Sequence, residues 1–134
     1  MTTDRSFAPH TGQPFKLAPD LALVLAPNPS PMTYLGTNTY LLGRKTLAII
    51  DPGPDDPAHL KALVDAIDGR PVTHVLLTHS HLDHSPLARS LADLTQAPVY
   101  AFGDSRAGRS AVMARLAAEG LAGGGEGIDA AFQP

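Results

Sequence analysis

Apolar residues in this chain fall in short runs broken by proline and glycine, and the period of each run suggests an element. Leu21 to Ala26 is a short apolar run that reads as a strand. Pro27-Asn28-Pro29-Ser30-Pro31 follows and excludes both helix and central strand. Thr37 to Leu42 mixes β-branched and aromatic residues and reads as a second strand. Gly43-Arg44-Lys45 turns the chain into Thr46 to Asp51, whose continuous apolar run predicts a strand buried on both faces. Pro52-Gly53-Pro54 ends it.

The period then changes. Leu60, Leu63, Val64 and Ile67 lie at i, i+3, i+4 and i+7, which predicts a helix with one apolar stripe. Asp56 is its expected N-cap, Pro57 suits its first turn, and Gly69 its left-handed end. Val72 to Thr78 is a further buried strand, so strand, helix and strand form a β-α-β unit with parallel pairing. Ser85-Pro86 opens a second helix by the same cap-and-proline logic, with Leu87, Leu91 and Leu94 as its stripe. Pro98 to Phe102 reads as a strand and Arg109 to Glu119 as a weakly patterned helix. Gly120 to Gly127 holds five glycines and reads as a flexible or tightly turning segment. Residues 1–20, with Pro9, Pro14 and Pro19, read as an irregular lead-in.

Composition narrows the class. The 134 residues suit one domain of the common size of about 100–150 residues. Hydrophobic residues make up 43%, as in a globular chain. With four Phe, three Tyr and no Trp, the core must come from Leu, Val, Ile and Ala. The net charge of −3 and the lack of a basic run give no electrostatic footprint for a nucleic-acid backbone. No Cys is present, which excludes disulfides, thiolate metal sites and Cys nucleophiles. The first fifteen residues lack the apolar stretch of a signal peptide, and no run approaches the roughly 20 residues of a membrane span. A cytoplasmic location and no membrane partner are expected.

The chemistry concentrates in Thr78-His79-Ser80-His81-Leu82-Asp83-His84. In extended chain, residues i and i+2 point the same way, so His79 and His81 can approach one metal ion together. Asp83 and His84 lie where the chain turns toward the next helix, within reach of a second position. Imidazole and carboxylate suit zinc, and also iron or manganese. Asp51 ends a strand before Pro-Gly, the place of an ordinary turn acid. His74 alternates with apolar neighbours and reads as structural, His59 falls on the polar side of its helix and should be solvated, and His10 carries no assignment. The glycine-rich segment lacks the GxxxxGK[ST] pattern, and Gly-x-Ser-x-Gly is absent.

His79-x-His81-x-Asp83-His84 resembles the HxHxDH signature of the metallo-β-lactamase-fold hydrolase superfamily. Thr37 to Gly43 and Ile49-Ile50-Asp51-Pro52-Gly53 resemble the strands that precede it there. The combination is similar to the β-lactamase-like protein 2 and glyoxalase-II-like subgroups, from about Leu21 to Phe102. The resemblance implies an α/β fold with layered α+β character, a four-layer αββα sandwich of two β-α halves. This chain would supply the first half, an incomplete mixed sheet with helices on one face. Residues 21–134 would then be the N-terminal part of the domain.

The resemblance also implies two zinc ions, one held by His79 and His81, the other by Asp83 and His84, each completed by more distant residues. A water or hydroxide between them would be the nucleophile, oriented by Asp83 as the catalytic carboxylate. The substrate would be an ester, thioester or phosphodiester, with small molecule and nucleic acid both left open. Asp51 would brace the metal loop as a supporting carboxylate, and Thr78 would orient it.

Two departures bear on this. Leu87 stands where the family's motif usually has Gly, and no His follows His84. The acids Asp93, Asp104, Glu119, Glu126 and Asp129 match no family motif. Three readings follow: the N-terminal portion of a metallo-hydrolase, inactive by itself; a non-catalytic truncated remnant; or a module that binds a single metal. Without a second sheet, one apolar sheet face would meet water and drive self-association.

Overall fold

The computed structural model describes residues 9–101 and 110–119. The glycine-rich segment, Phe102 and residues 1–8 lie outside them. The elements run β1 (Pro14–Ala18), β2 (Leu21–Leu25), β3 (Asn38–Gly43), β4 (Leu47–Ile50), α1 (Pro57–Ile67), β5 (Val72–Leu77), α2 (Leu87–Thr95), β6 (Val99–Ala101) and α3 (Ala111–Ala118). The six strands form one sheet in sequence order. β1 to β4 pair antiparallel, and β4, β5 and β6 pair parallel through the crossovers that carry α1 and α2. This is the mixed α/β sheet expected from the sequence.

Residues 14–18 correct the expectation of an irregular lead-in, because Pro14–Ala18 is the edge strand β1. Pro14 is its first residue, opposite Val24, and an edge strand tolerates a residue with no N–H at that position. Pro19 and Asp20 make the turn into β2, and the Asp20 carbonyl accepts from Gly43 N–H at 2.8 Å.

Register separates the two faces of the sheet. Ala22, Leu41, Ile49, Val75 and Val99 are cross-strand partners along one row. That face packs against Leu63 and Ile67 of α1 and Ala88 and Leu91 of α2 in a single core cluster. Leu23, Tyr40, Ile50, Leu76 and Tyr100 form the parallel row on the opposite face. Leu23 is buried there, Tyr40, Ile50 and Leu76 are half-buried, and Tyr100 is exposed. Leu42 is exposed on this side, and the exposed His74 sets its ring against Tyr100 at 5.5 Å between centroids. β4 is apolar throughout and β5 carries Thr73 and the exposed His74; among the described residues α1 and α2 cover one face of these strands, where the sequence predicts burial on both.

Helix α1 begins as expected. The Asp56 carboxylate accepts from Ala58 N–H at 2.8 Å and His59 N–H at 3.1 Å, with Pro57 in the first turn. Asp68 takes the left-handed cap (φ 53°), and Gly69 follows at φ 72°. The buried face is rotated from the predicted stripe, however. His59, Ala62, Leu63 and Ile67 are buried, while Val64 is exposed. His59, expected in solvent, is 1% exposed. It occupies the i−4 position to Leu63 on the covered face, and its ring nitrogen finds a hydrogen-bonding partner there.

Helix α2 has a related difference. Pro86 is its N-cap and makes no side-chain cap bond, while Ser85 turns back to other carbonyls. Leu87 and Leu91 are buried but Leu94 is exposed.

The rotated stripe is testable by unfolding in urea. Leu63→Ala should cost about 2–5 kcal/mol, because it opens a cavity between α1 and the sheet. Val64→Ala, which the sequence pattern ranks as equal, should change stability by no more than about 0.5 kcal/mol.

Candidate metal centre

The site forms at the carboxyl ends of the parallel strands β4 and β5, where open α/β sheets place their ligands. Asp51 follows β4 and adopts φ 54°, a left-handed conformation uncommon for a residue with a Cβ. That conformation turns its carboxylate across to the loop after β5. Oδ1 accepts from Thr78 N–H at 2.8 Å, and Oδ2 accepts from Thr78 Oγ1 at 2.6 Å and lies 3.0 Å from His84 Nδ1. Asp51 is 4% exposed, so these partners carry its whole coordination.

The loop itself is a tight turn. The His81 carbonyl accepts from both His84 N–H and Ser85 N–H at 3.0 Å. Ser85 Oγ donates to the Ser80 carbonyl at 2.7 Å, with the His81 carbonyl at 3.2 Å. Ser85 is thus a brace of this loop, a role that reading it as a helix cap missed. Gly53 N–H donates to the His84 carbonyl at 2.9 Å, which ties the loop to the turn after Asp51. Leu87 N–H donates to the Gly53 carbonyl at 3.2 Å, and its side chain is buried.

These bonds decide which ring nitrogens are free. The one Thr78 hydroxyl proton goes to Asp51, so Thr78 Oγ1 accepts from His79 Nδ1 at 2.8 Å. His79 therefore presents Nε2. His84 Nδ1–H donates to Asp51, and its Nε2 lies 3.2 Å from Asp83 Oδ2. A carboxylate on one imidazole nitrogen, with the other directed outward, is the arrangement that orients a metal-binding histidine.

Ligand atoms of His79, His81 and Asp83 lie within 4.8 Å of one another, and so do those of Asp51, His79 and His84. The rings of His79 and His81 meet edge-on at 4.7 Å, and those of His79 and His84 stand 4.1 Å apart. All four motif residues thus share one small volume, with His79 common to both groups. Asp51 is hydrogen-bonded to Thr78 and His84 through both oxygens, while Asp83 is half-buried beside the cavity. The donor set of imidazole nitrogen and carboxylate oxygen fits a divalent transition metal.

Electrostatics follow from the same contacts. Burial by itself would raise the Asp51 pKa, but hydrogen bonds from His84 and Thr78 outweigh it and hold the group below the usual 3.8. The Asp51 hydrogen bond raises His84 above 6.5 against the effect of burial, helped by the charges of Asp51 and Asp83. Burial, then the neighbouring His84 and His81, lower His79 below 6.5.

An open cavity of about 710 Å³ borders the site, with Pro29, Met32 and Leu82 beside His79, His81 and Asp83. Its far wall is the loop after β2, which the sequence reading left as a connector. Asn28 Oδ1 accepts from Thr37 N–H at 2.8 Å, and Thr33 Oγ1 donates to the Asn28 carbonyl at 2.6 Å. Met32, at the loop's tip, is 92% exposed.

A mixed α/β sheet carries a His/Asp cluster at the ends of its parallel strands, in an arrangement that could hold a metal ion. Residues 32–107 match the family described as the metallo-beta-lactamase superfamily, more than half of the sequence, and the chain belongs to it. It is 41% identical over 73 residues to a Beta-lactamase-like protein 2 homolog of Drosophila melanogaster, covering 52% of this chain and 25% of that protein. It is 37% identical over 73 residues to an Atrochrysone carboxyl ACP thioesterase of Passalora fulva, covering 52% and 22%. A Beta-lactamase domain protein from Burkholderia ambifaria superposes with a TM-score of 0.59 at 29% identity, over 72% of this chain and 34% of that one. The matched region spans about a quarter of the length of these curated relatives.

In the metal-free chain, the carboxylate contacts set the order of titration. His84 is expected to hold its proton above pH 6.5 and His79 to lose its proton below it, as read by NMR of the ring protons. Asp51→Asn should bring the His84 value down. A raised His84 pKa stabilises the fold below 6.5 and is lost as pH rises through the folded value. A lowered Asp51 pKa stabilises it above 3.8 and is lost as pH falls through the folded value. The pair's contribution is therefore greatest between those two limits.

Proposed function

We propose that this chain carries part of the site of a zinc hydrolase that cleaves an ester or thioester. The observation that carries the reading is the convergence of ligand atoms within 4.8 Å of one another, those of His79, His81 and Asp83 in one group and those of Asp51, His79 and His84 in the other. His79 and His81 would hold one zinc ion, and Asp83 and His84 a second beside it. Bound there, zinc supplies Lewis acidity at a carbonyl oxygen and makes water acidic enough to ionise near neutral pH. Asp83 is partly exposed on the cavity, so its carboxylate can accept a proton of the attacking water and orient it. Asp51 and Thr78 hold Nδ1 of His84 and His79, which would leave Nε2 of each ring as the ligand atom. Pro29, Met32 and Leu82 form an apolar lip suited to an acyl group, and no Lys or Arg lines this cavity among the described residues. A relative named as an acyl carrier thioesterase supports the same choice over a phosphodiester.

A proton on His84 Nε2, the nitrogen that faces Asp83, must leave before that nitrogen can hold zinc. Zinc affinity measured by calorimetry should therefore rise between pH 6 and pH 8. His81→Ala should weaken it by at least tenfold. One bound ion per chain would favour a single-metal module, two the dinuclear site, and none would remove the metal reading. The zinc-loaded chain should hydrolyse a thioester slowly, because its four ligands give each ion two, against the three of a catalytic zinc site. Rapid turnover lost in His81→Ala would show the site to be complete within these residues.

A second copy of the chain is the proposed partner of the open sheet face, where Tyr40, Ile50, Leu76 and Tyr100 stand in one row with Leu42 beside it. Sedimentation should show concentration-dependent association. Replacing Leu42 and Tyr100 by Lys should reduce it without loss of helix content.

A further inference from the structure

We propose that His59, far from the HxHxDH loop in sequence, is a positioning residue for the metal centre and acts through Thr39 and Gly53. The inference rests on the metal reading above. His59 lies on the first turn of α1 and is 1% exposed. Its Nε2 is 2.9 Å from Thr39 Oγ1, and Thr39 Oγ1 donates to the Asp51 carbonyl at 2.7 Å. Thr39 has one hydroxyl proton and gives it to Asp51, so His59 must donate from Nε2. The neutral Nε2–H tautomer is fixed by this chain of bonds. Burial, opposed by the Asp56 charge and the Pro52 carbonyl, also lowers the His59 pKa below 6.5.

Three observations show what the ring supports. The first is the backbone of Asp51. Its left-handed φ of 54° is strained for a residue with a Cβ and persists only where the surroundings over-determine it. Both backbone polar groups of Asp51 are held: N–H by the Leu76 carbonyl at 2.9 Å, and C=O by the Thr39 hydroxyl that His59 orients.

The second is Gly53. It adopts φ 98°, and a Cβ there would stand 2.9 Å from both Cδ2 and Nε2 of His59. The imidazole thus packs directly on the glycine that holds the His84 carbonyl and Leu87 N–H. The third is Nδ1, which is buried without a partner. A buried acceptor left unsatisfied is destabilising, so an apolar side chain would fill this place at less cost if packing were all that was needed. The donor at Nε2 is the feature that an apolar side chain lacks.

His59 and Thr39 therefore set the turn Asp51-Pro52-Gly53 from beneath, and that turn sets the carboxylate on Thr78 and His84. Two variants remove the contact in different ways. His59→Leu keeps bulk and removes the donor, and Thr39→Val keeps shape and removes the hydroxyl. His59→Gln returns an N–H donor at a similar reach.

The full chain is titrated with Co(II), followed by its visible absorption, and the metal-free chain is examined by NMR for the His84 Nδ1 proton. Leu and Val variants should fold with native circular dichroism, bind Co(II) about tenfold more weakly with an altered band, and show the His84 Nδ1 resonance shifted and exchanging faster. The Gln variant should recover most of the affinity. Wild-type affinity and an unmoved His84 signal in either folded variant would overturn the proposal. If the wild-type chain binds no Co(II), the metal reading fails, and the His84 signal alone then decides whether His59 positions the loop.

Discussion

One buried carboxylate organises the functional end of this molecule. Asp51 leaves β4 in a left-handed conformation and reaches the loop after β5, 27 positions later in the chain. It can do so because β4 and β5 run parallel and end at the same edge. A carboxylate this deeply buried is costly unless hydrogen bonds compensate. Here three compensate, from Thr78 N–H, Thr78 Oγ1 and His84 Nδ1. The same bonds that stabilise the charge fix two imidazole rings. The stability of the turn and the orientation of the metal ligands are therefore one interaction.

The sheet that carries this edge is covered unequally. Helices α1 and α2 seal one face with a continuous Leu, Ile, Val and Ala core. The other carries a row of large apolar side chains only partly withdrawn from water. The curated relatives compared share only about a quarter of their own length with the matched region.

Much of the fold could be read from periodicity because local rules and tertiary structure agree. Asp56 caps α1 in both, and the apolar runs of β2, β4 and β5 are strands in both. The disagreements occur where a neighbour decides. Val64 fits the helical stripe, yet the sheet faces the side of α1 that carries His59 and Leu63. Ser85 matches a cap signature, yet the Ser80 and His81 carbonyls take its hydroxyl. Pro14 signals a break, yet an edge position leaves its missing N–H without consequence. None of these neighbours is adjacent in sequence, so no window around the residue contains the deciding partner.

The sequence by itself determined the identity of the metal-type side chains and their confinement to six consecutive residues after an apolar strand. Chemistry at that spacing needs little else to be recognised, because donor atoms and strand geometry are local properties. Only the tertiary structure decided that His79 turns Nδ1 to Thr78 and His84 turns Nδ1 to Asp51, that Asp51 ties the two strand ends together, and that His59 lies buried behind that turn. Those outcomes depend on hydrogen bonds between β3, β4, α1 and the loop after β5, and a hydrogen bond is set by distance and direction that only the folded chain supplies.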